Sequence, residues 1–448
     1  MAPARKNSKE LKSYRETNEM KLSIGETLAK FLGARSVRAL ALGLAATVAA
    51  TTLPAATPAS AHGERSQQAF LRMRTLNWYD VKWSKTEVNI NEDMEITGKV
   101  HVFSGWPQAV AKPEQAFLNV GEPGPVLVRK ASYVSGIPTP RTFSLEIGQD
   151  YEYKIVLRAR RQGRYHVHVQ INVKDGGPIV GPGQWINIKG DMANFTNPVT
   201  LLDGSTVDLE TLGIKWTMTY HFLWMAAAAF WVIYWFMQKG IIARGWQVAA
   251  GKGKEIITPA DKRFGGLWLA GSMLALLIFY AQANAEFPRT LPMQAGLLTG
   301  IDPMHEGPVT VISNYGGGSY KVPGRELTIK LKITNNGTEA LKIGEFTTAG
   351  LRFLNPDVFT TRPEFPDYLL ADRGLSVNDP TPIAPGETKD VVVTVQDARF
   401  DIERLSDLAY DTDSQFGGLL FLFSPSGKRV KLEIGGPVIP RFQAGASL

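Results

Sequence analysis

GRYHVHVQINVKDGG, residues 163–177, alternates apolar and polar side chains along most of its length. Tyr165, Val167, Val169, Ile171 and Val173 fall on one face, and Arg164, His166, His168, Gln170 and Asn172 fall on the other. A period of two is the signature of a half-buried β-strand, and Lys174-Asp-Gly-Gly177 closes it with turn residues. Side chains at i and i+2 of a strand point the same way, about 6.6–7 Å apart. His166 and His168 can therefore reach one metal ion between them. A solvated polar face gives the same pattern, so the pair does not decide its own role.

The same reading extends outward. Lys154 to Leu157 and Glu95 to Phe103 also alternate, and GEPGPV and KDGGPIVGPG read as turns. Long helical periodicity is absent from residues 62–215, which predicts a β-sandwich or barrel of about 150 residues. Residues 286–448 repeat the character, with strands expected at Leu327 to Thr334, Ala340 to Phe346, Asp390 to Val395 and Val430 to Ile434. Asn335-Asn336-Gly337 predicts a hairpin between the first two, because Asn and Gly accept positive φ. This second module holds one histidine, His305, and its default role is structural.

Between the modules lie two uncharged stretches, Thr217 to Met237 and Phe264 to Ala285, of 21 and 22 residues. A spanning helix needs about 20 apolar residues, so residues 216–237 and 264–285 read as a transmembrane helical hairpin. Trp216, Trp224, Tyr234, Trp235, Trp268 and Tyr280 add the amphipathic rings that interfaces favour. The loop 238–263 carries Lys239, Arg244, Lys252, Lys254, Lys262 and Arg263 against Glu255 and Asp261, and short basic loops stay in the cytoplasm. Both β modules are then expected in the periplasm of a bacterial inner membrane. At the start, Arg35 and Arg38 precede an apolar run from Ala39 to about Leu53 and small residues at Ala59-Ser60-Ala61. Residues 1–61 read as a removed signal peptide; the competing reading is an uncleaved anchor, for which the run is short and Ala-rich.

Charge and cysteine content narrow the chemistry. Nine of the 49 Lys and Arg and four of the 42 Asp and Glu lie in residues 1–61, so the leader holds +5 of the +7 formal charge. The basic balance therefore gives no support for nucleic-acid binding. Cysteine is absent. Thiolate zinc sites, iron–sulfur clusters, blue-copper centres and thiol nucleophiles are excluded, and any metal is held by nitrogen or oxygen.

Cleavage after Ala61 gives His62 an α-amino group beside its own imidazole. With His166 and His168 this makes an all-nitrogen set of up to four donors, which suits copper best, with zinc as the competitor. The free amino group titrates near 7.7–8.0, so a metal displaces its proton at modest cost. Glu64 either orients a ligand or remains a surface carboxylate near a chain end. His101, beside Lys99, reads as a surface residue. His221 lies in the first span, where an ionisable residue is a functional candidate or an interface anchor, and His305 has no neighbouring donor pattern.

The stretches HGERSQQAFLRMRTLNWYDVKWSKTEV (62–88) and YHVHVQINVKDGGPIVGPG (165–183), with the two spans, resemble the B-subunit family of particulate methane monooxygenase and ammonia monooxygenase. The likeness covers essentially the whole mature chain. It implies a mainly β fold in which two periplasmic cupredoxin-like β-barrels are joined by two membrane-spanning helices. It implies membrane-embedded A and C partner subunits in a trimer of heterotrimers, in the inner or intracytoplasmic membrane. It places copper on the amino group and ring of His62 and on the rings of His166 and His168. Asn77 stands where some members carry a histidine of a second copper position, and Asn is a poor copper ligand. The implied reaction is oxidation of methane to methanol with O2, with ammonia to hydroxylamine as the alternative. A scaffold or copper-delivery role within the same complex is a further reading. The two-span electron-transfer subunit of terminal oxidases needs bridging cysteines that this chain lacks.

Overall fold

A computed structural model describes residues 67–442 except 202, 236–244, 288–295, 306, 308–309 and 323–324. The leader 1–61, His62, Glu64 and part of the loop 238–263 lie outside the described residues. The described chain is mainly β. In the first module, one sheet runs in the order Leu76–Trp83, Asp93–Val102, Asp150–Ala159, Leu127–Val134, Ile137–Pro138. The other runs Leu297–Leu298, Thr142–Phe143, Ala116–Gly121, Gly163–Val173, Gly177–Lys189, Glu87–Asn89. Val167, Val169, Ile171 and Val173 pack with Ile96, Val100, Tyr151 and Ile155 in one buried cluster. The alternation of residues 163–173 thus places the apolar face in the core, as the period requires.

Among the described residues, the second module's own sheet has nine paired strands. Arg429–Phe442 sits at their middle, antiparallel to Gln415–Phe423 and parallel to Val311–Val322. Leu327, Ile329, Leu331 and Ile333 meet Phe346, Phe353, Phe416 and Leu420 in its core. The expected Asn335-Asn336-Gly337 hairpin does not form. Glu326–Asn335 pairs with Val311–Val322 and Thr388–Gln396, while Lys342–Thr348 pairs with Gln415–Phe423 and Leu351–Leu354. The reason lies in Asn335. Its amide donates to Glu339 O at 2.8 Å and Ile383 O at 3.0 Å, and its Oδ1 accepts from Gly337 N at 3.0 Å. The turn is tied to a third segment, and the next strand, Lys342–Thr348, joins elsewhere in the same run of nine strands instead of pairing back.

The modules interlock. Ala69 and Met73 of the helix Ala69–Arg74 lie in the second module's core, whereas Leu298 and Ile301 pack on the first module's core. His101, expected at the surface, is 4% exposed and is the centre of the seam. Its Nδ1 meets Asp150 Oδ2 at 3.0 Å and its Nε2 meets Glu433 Oε2 at 2.5 Å. Asp150 also accepts from Tyr79 at 2.8 Å and from Lys431. The polar strand face that suggested exposure is covered here by Arg429–Phe442 of the other module, which a local pattern does not report.

Two antiparallel helices, Ile214–Ile233 and Pro259–Glu286, connect the modules. Thr258 and Asp261 form a reciprocal capping box at the start of the second, with a proline in its first turn. The helices meet through rings: Phe230 on Trp268 at 5.2 Å, Trp231 on Trp268 at 5.5 Å and Tyr220 on Phe279 at 4.9 Å. Their outer faces are bare and apolar, with Leu267 74% and Phe222 61% exposed. Pro259–Glu286 is long and apolar enough to cross a membrane.

The seam sets a pH dependence. Burial lowers the His101 imidazole, but its hydrogen bonds to Asp150 and Glu433 outweigh this and raise it above the ordinary value. Burial raises Asp150, yet His101 and Lys431 outweigh it and hold the carboxyl at about 2. The His101 contribution is fully present below about pH 6.5 and is lost as pH rises through its raised value. The Asp150 contribution is present above about pH 3.9 and is lost as pH falls toward about 2. Thermal unfolding of the full chain should show a midpoint that declines on the alkaline side. His101→Gln should abolish that decline and remove about 3 kcal/mol near neutral pH.

Candidate metal centre

The Gly163–Val173 strand lies between Ala116–Gly121 and Gly177–Lys189. His166 and His168 point away from the core, yet they are only 2% and 3% exposed. What covers them begins with the neighbouring strand. Gly181-Pro182-Gly183, expected as part of a turn, lies inside the strand Gly177–Lys189, and the pairing register shifts between Val180 and Gly183. This irregularity behaves as a β-bulge, which re-aims local groups. It turns the Gly181 carbonyl to accept from His168 Nδ1 at 3.1 Å, and it leaves the Gly183 carbonyl to accept from the Tyr368 hydroxyl at 2.7 Å. Only glycine fits at 183, because a Cβ there would lie 2.5 Å from the His168 ring.

The second module supplies the rest of the cover. Tyr368 reaches across so that its oxygen meets His166 Nε2 at 2.8 Å. Gly350, at φ +81° in the tight turn after Lys342–Thr348, sits against Pro182 of the bulge. Trp185 lies beside the His166 ring at 4.9 Å, and the Arg164 guanidinium stands 4.8 Å from the centre of the Trp185 ring.

These contacts assign protons. A backbone carbonyl only accepts, so His168 Nδ1 carries hydrogen and its Nε2 carries a lone pair. The single Tyr368 proton goes to Gly183 O, so its oxygen accepts from His166 Nε2–H, and His166 Nδ1 carries a lone pair. Those two lone-pair nitrogens face each other at 2.9 Å. At that spacing one shared proton or one cation can bridge them. Two nitrogens bound at about 2 Å and at right angles to one ion lie about 2.8 Å apart, so the geometry fits a metal's adjacent ligands. Among the described residues no three of His, Cys, Asp and Glu gather into a metal-holding group. A metal held by this pair would need further donors from elsewhere.

Comparison with known proteins identifies the family of the chain. The family of monooxygenase B-subunit proteins matches residues 63–442. The chain belongs to that family. A relative from Methylococcus capsulatus, named particulate methane monooxygenase alpha subunit, is 48% identical over 402 residues, covering 90% of this chain and 97% of that one. Among solved structures, the cupredoxin domain of amoB from Nitrosocaldus yellowstonii aligns with 27% of this chain and 91% of its own, at 19% identity and a TM-score of 0.22. A CARDB domain from Pyrococcus furiosus covers 27% of this chain and 99% of its own, at 11% identity and a TM-score of 0.15. At those scores neither likeness carries an argument about the fold.

In this monooxygenase-family chain the structure brings His166 and His168 together, while His62 and Glu64 lie outside the described residues. Asn77 is buried and donates to Met73 O at 3.1 Å, opposite His101 in the strand register. His221 donates from Nδ1 to Thr217 O at 2.7 Å within its own helix, and His305 is exposed. Tyr368 and the bulge carbonyls escaped the sequence reading. The GPG repeat was a visible signal for the bulge, but nothing local links Tyr368 to a strand about 200 residues earlier. Gly183→Ala should force the His168 ring aside and cost about 1–3 kcal/mol. A thermal midpoint equal to that of the unaltered chain would place the ring elsewhere.

Proposed function

We propose that this chain is the copper-binding subunit of a membrane monooxygenase complex that oxidises methane to methanol with O2. The observation that carries the reading is that two imidazole nitrogens, His166 Nδ1 and His168 Nε2, lie 2.9 Å apart on two buried side chains. With the α-amino group and ring of His62, freed by removal of residues 1–61, they complete a nitrogen set suited to copper. Chain reach supports this. Gln67 is held at the strand beside the pair, where its Oε1 accepts from Val180 N at 3.1 Å. Five residues span up to about 17 Å, enough for His62 to reach the pair from there.

His166 and His168 would hold the copper, which would supply a redox-active ion able to bind O2. The protein's part is to fix two ring nitrogens in lone-pair form, to hold them at adjacent-ligand spacing and to keep bulk water away. Methane as substrate is supported by the name of the 48% identical relative. A cupredoxin-like description suits both β modules, 62–215 and 286–448, and the bare faces of the two helices support their placement as spans 216–237 and 264–285. Basic residues in the loop 238–263 then put both modules in the periplasm, at an inner or intracytoplasmic membrane. Membrane-embedded A and C subunits, in a trimer of heterotrimers, are the proposed partners. Glu64 is proposed to orient a ligand from beside His62.

The test replaces His166 and His168 with Ala in the assembled complex, followed by metal analysis and methane turnover in membranes. Loss of copper from this subunit together with loss of methanol formation is expected, as is a purified chain whose sequenced N-terminus is His62. Unchanged copper content would contradict the reading. Lost copper with unchanged turnover would make the site a supporting one and place the oxidation in a partner.

A further inference from the structure

Tyr368 does not belong to the module that holds the histidines, and its support is more elaborate than a packing role requires. It lies in the short turn Asp367–Leu369. Leu369 and Ala371, on either side of the turn's end, are buried in the second module's core. Arg399 clamps the same turn, donating to Asp367 O at 2.9 Å and to Tyr368 O at 3.2 Å. Arg399 is itself held by Asp397 at 2.8 Å. From this base the Tyr368 ring stands 5.4 Å from His166, at an interplanar angle of 59°. Its hydroxyl accepts from His166 Nε2 at 2.8 Å and donates to Gly183 O at 2.7 Å. One hydroxyl thus fixes the hydrogen-bonding of both strands that frame the site.

We infer that Tyr368 is a positioning residue for the metal-binding histidine. By holding the proton on His166 Nε2 it commits Nδ1 to the ion, and it makes the ligand geometry of the first module depend on the seating of the second. This rests on the copper reading above. The second module, whose sequence offers no imidazole pair of its own, acquires a function by this route: it sets the tautomer of a ligand it does not supply. Removing a group that orients a ligating imidazole typically weakens metal affinity 10–100-fold.

The test compares the full complex with Tyr368→Phe and with Tyr165→Phe, whose hydroxyl donates to Gln162 O at 2.7 Å. Copper(II) affinity is measured by competition with a chelator, and the remote imidazole nitrogens of the bound ion by pulsed EPR. Tyr368→Phe should weaken copper binding about tenfold. It should also shift the quadrupole coupling of one remote nitrogen, since that nitrogen's N–H has lost its acceptor. Tyr165→Phe should change neither. A Tyr368→Phe complex with unaltered affinity and unaltered remote-nitrogen coupling overturns the inference. Should that variant fail to accumulate, 3-fluorotyrosine at position 368 keeps the shape and changes only the hydroxyl's strength, and an unmoved coupling there overturns it equally. If the unaltered complex shows no imidazole-bound copper, the copper reading itself falls.

Discussion

The close approach of two ring nitrogens, His166 Nδ1 and His168 Nε2 at 2.9 Å, is the contact around which the rest of the site is arranged. His166 and His168 each have their other ring nitrogen committed as a donor, one to a tyrosine hydroxyl and one to a backbone carbonyl. That commitment turns two ordinary strand residues into a preformed pair of ligands. The surrounding structure is what makes the arrangement persist.

Each layer of that structure follows from the one beneath it. Period-two alternation buries Val167, Val169 and Ile171 and so fixes which face the histidines occupy. An irregular GPG segment in the next strand aims two carbonyls that a regular ladder would have used within the sheet. The second module then covers the site with Tyr368 and with the turn at Gly350. Its position is held by a separate ionic seam, in which His101 sits between Asp150 and Glu433 while Lys431 reaches back to Asp150. Each module contributes to the other's interior.

Much of this was legible because local pattern and long-range packing agree. Gly163–Val173, Glu326–Asn335 and Thr388–Gln396 are strands whose alternation states their buried face. The pair His166 and His168 followed from the same period. Where other segments decide the outcome, the local signal misleads. Asn335-Asn336-Gly337 has hairpin chemistry, but Ile383 captures the asparagine amide and the next strand pairs elsewhere in the sheet. GPG has turn chemistry, but its neighbours on both sides are strand residues and it becomes a bulge. His101 lies on a polar strand face that happens to meet a second domain. Tyr368 carries no signal at all, since its role exists only once two distant segments meet.

The most direct measurement is anomalous X-ray scattering from crystals of the complex, collected on either side of the copper absorption edge. An edge-dependent peak is expected about 2 Å from both His166 Nδ1 and His168 Nε2, the usual imidazole–metal distance. The N-terminal His62 should close the same coordination sphere. No peak at the pair, or a peak on His166 Nε2 with Tyr368 displaced, would contradict it.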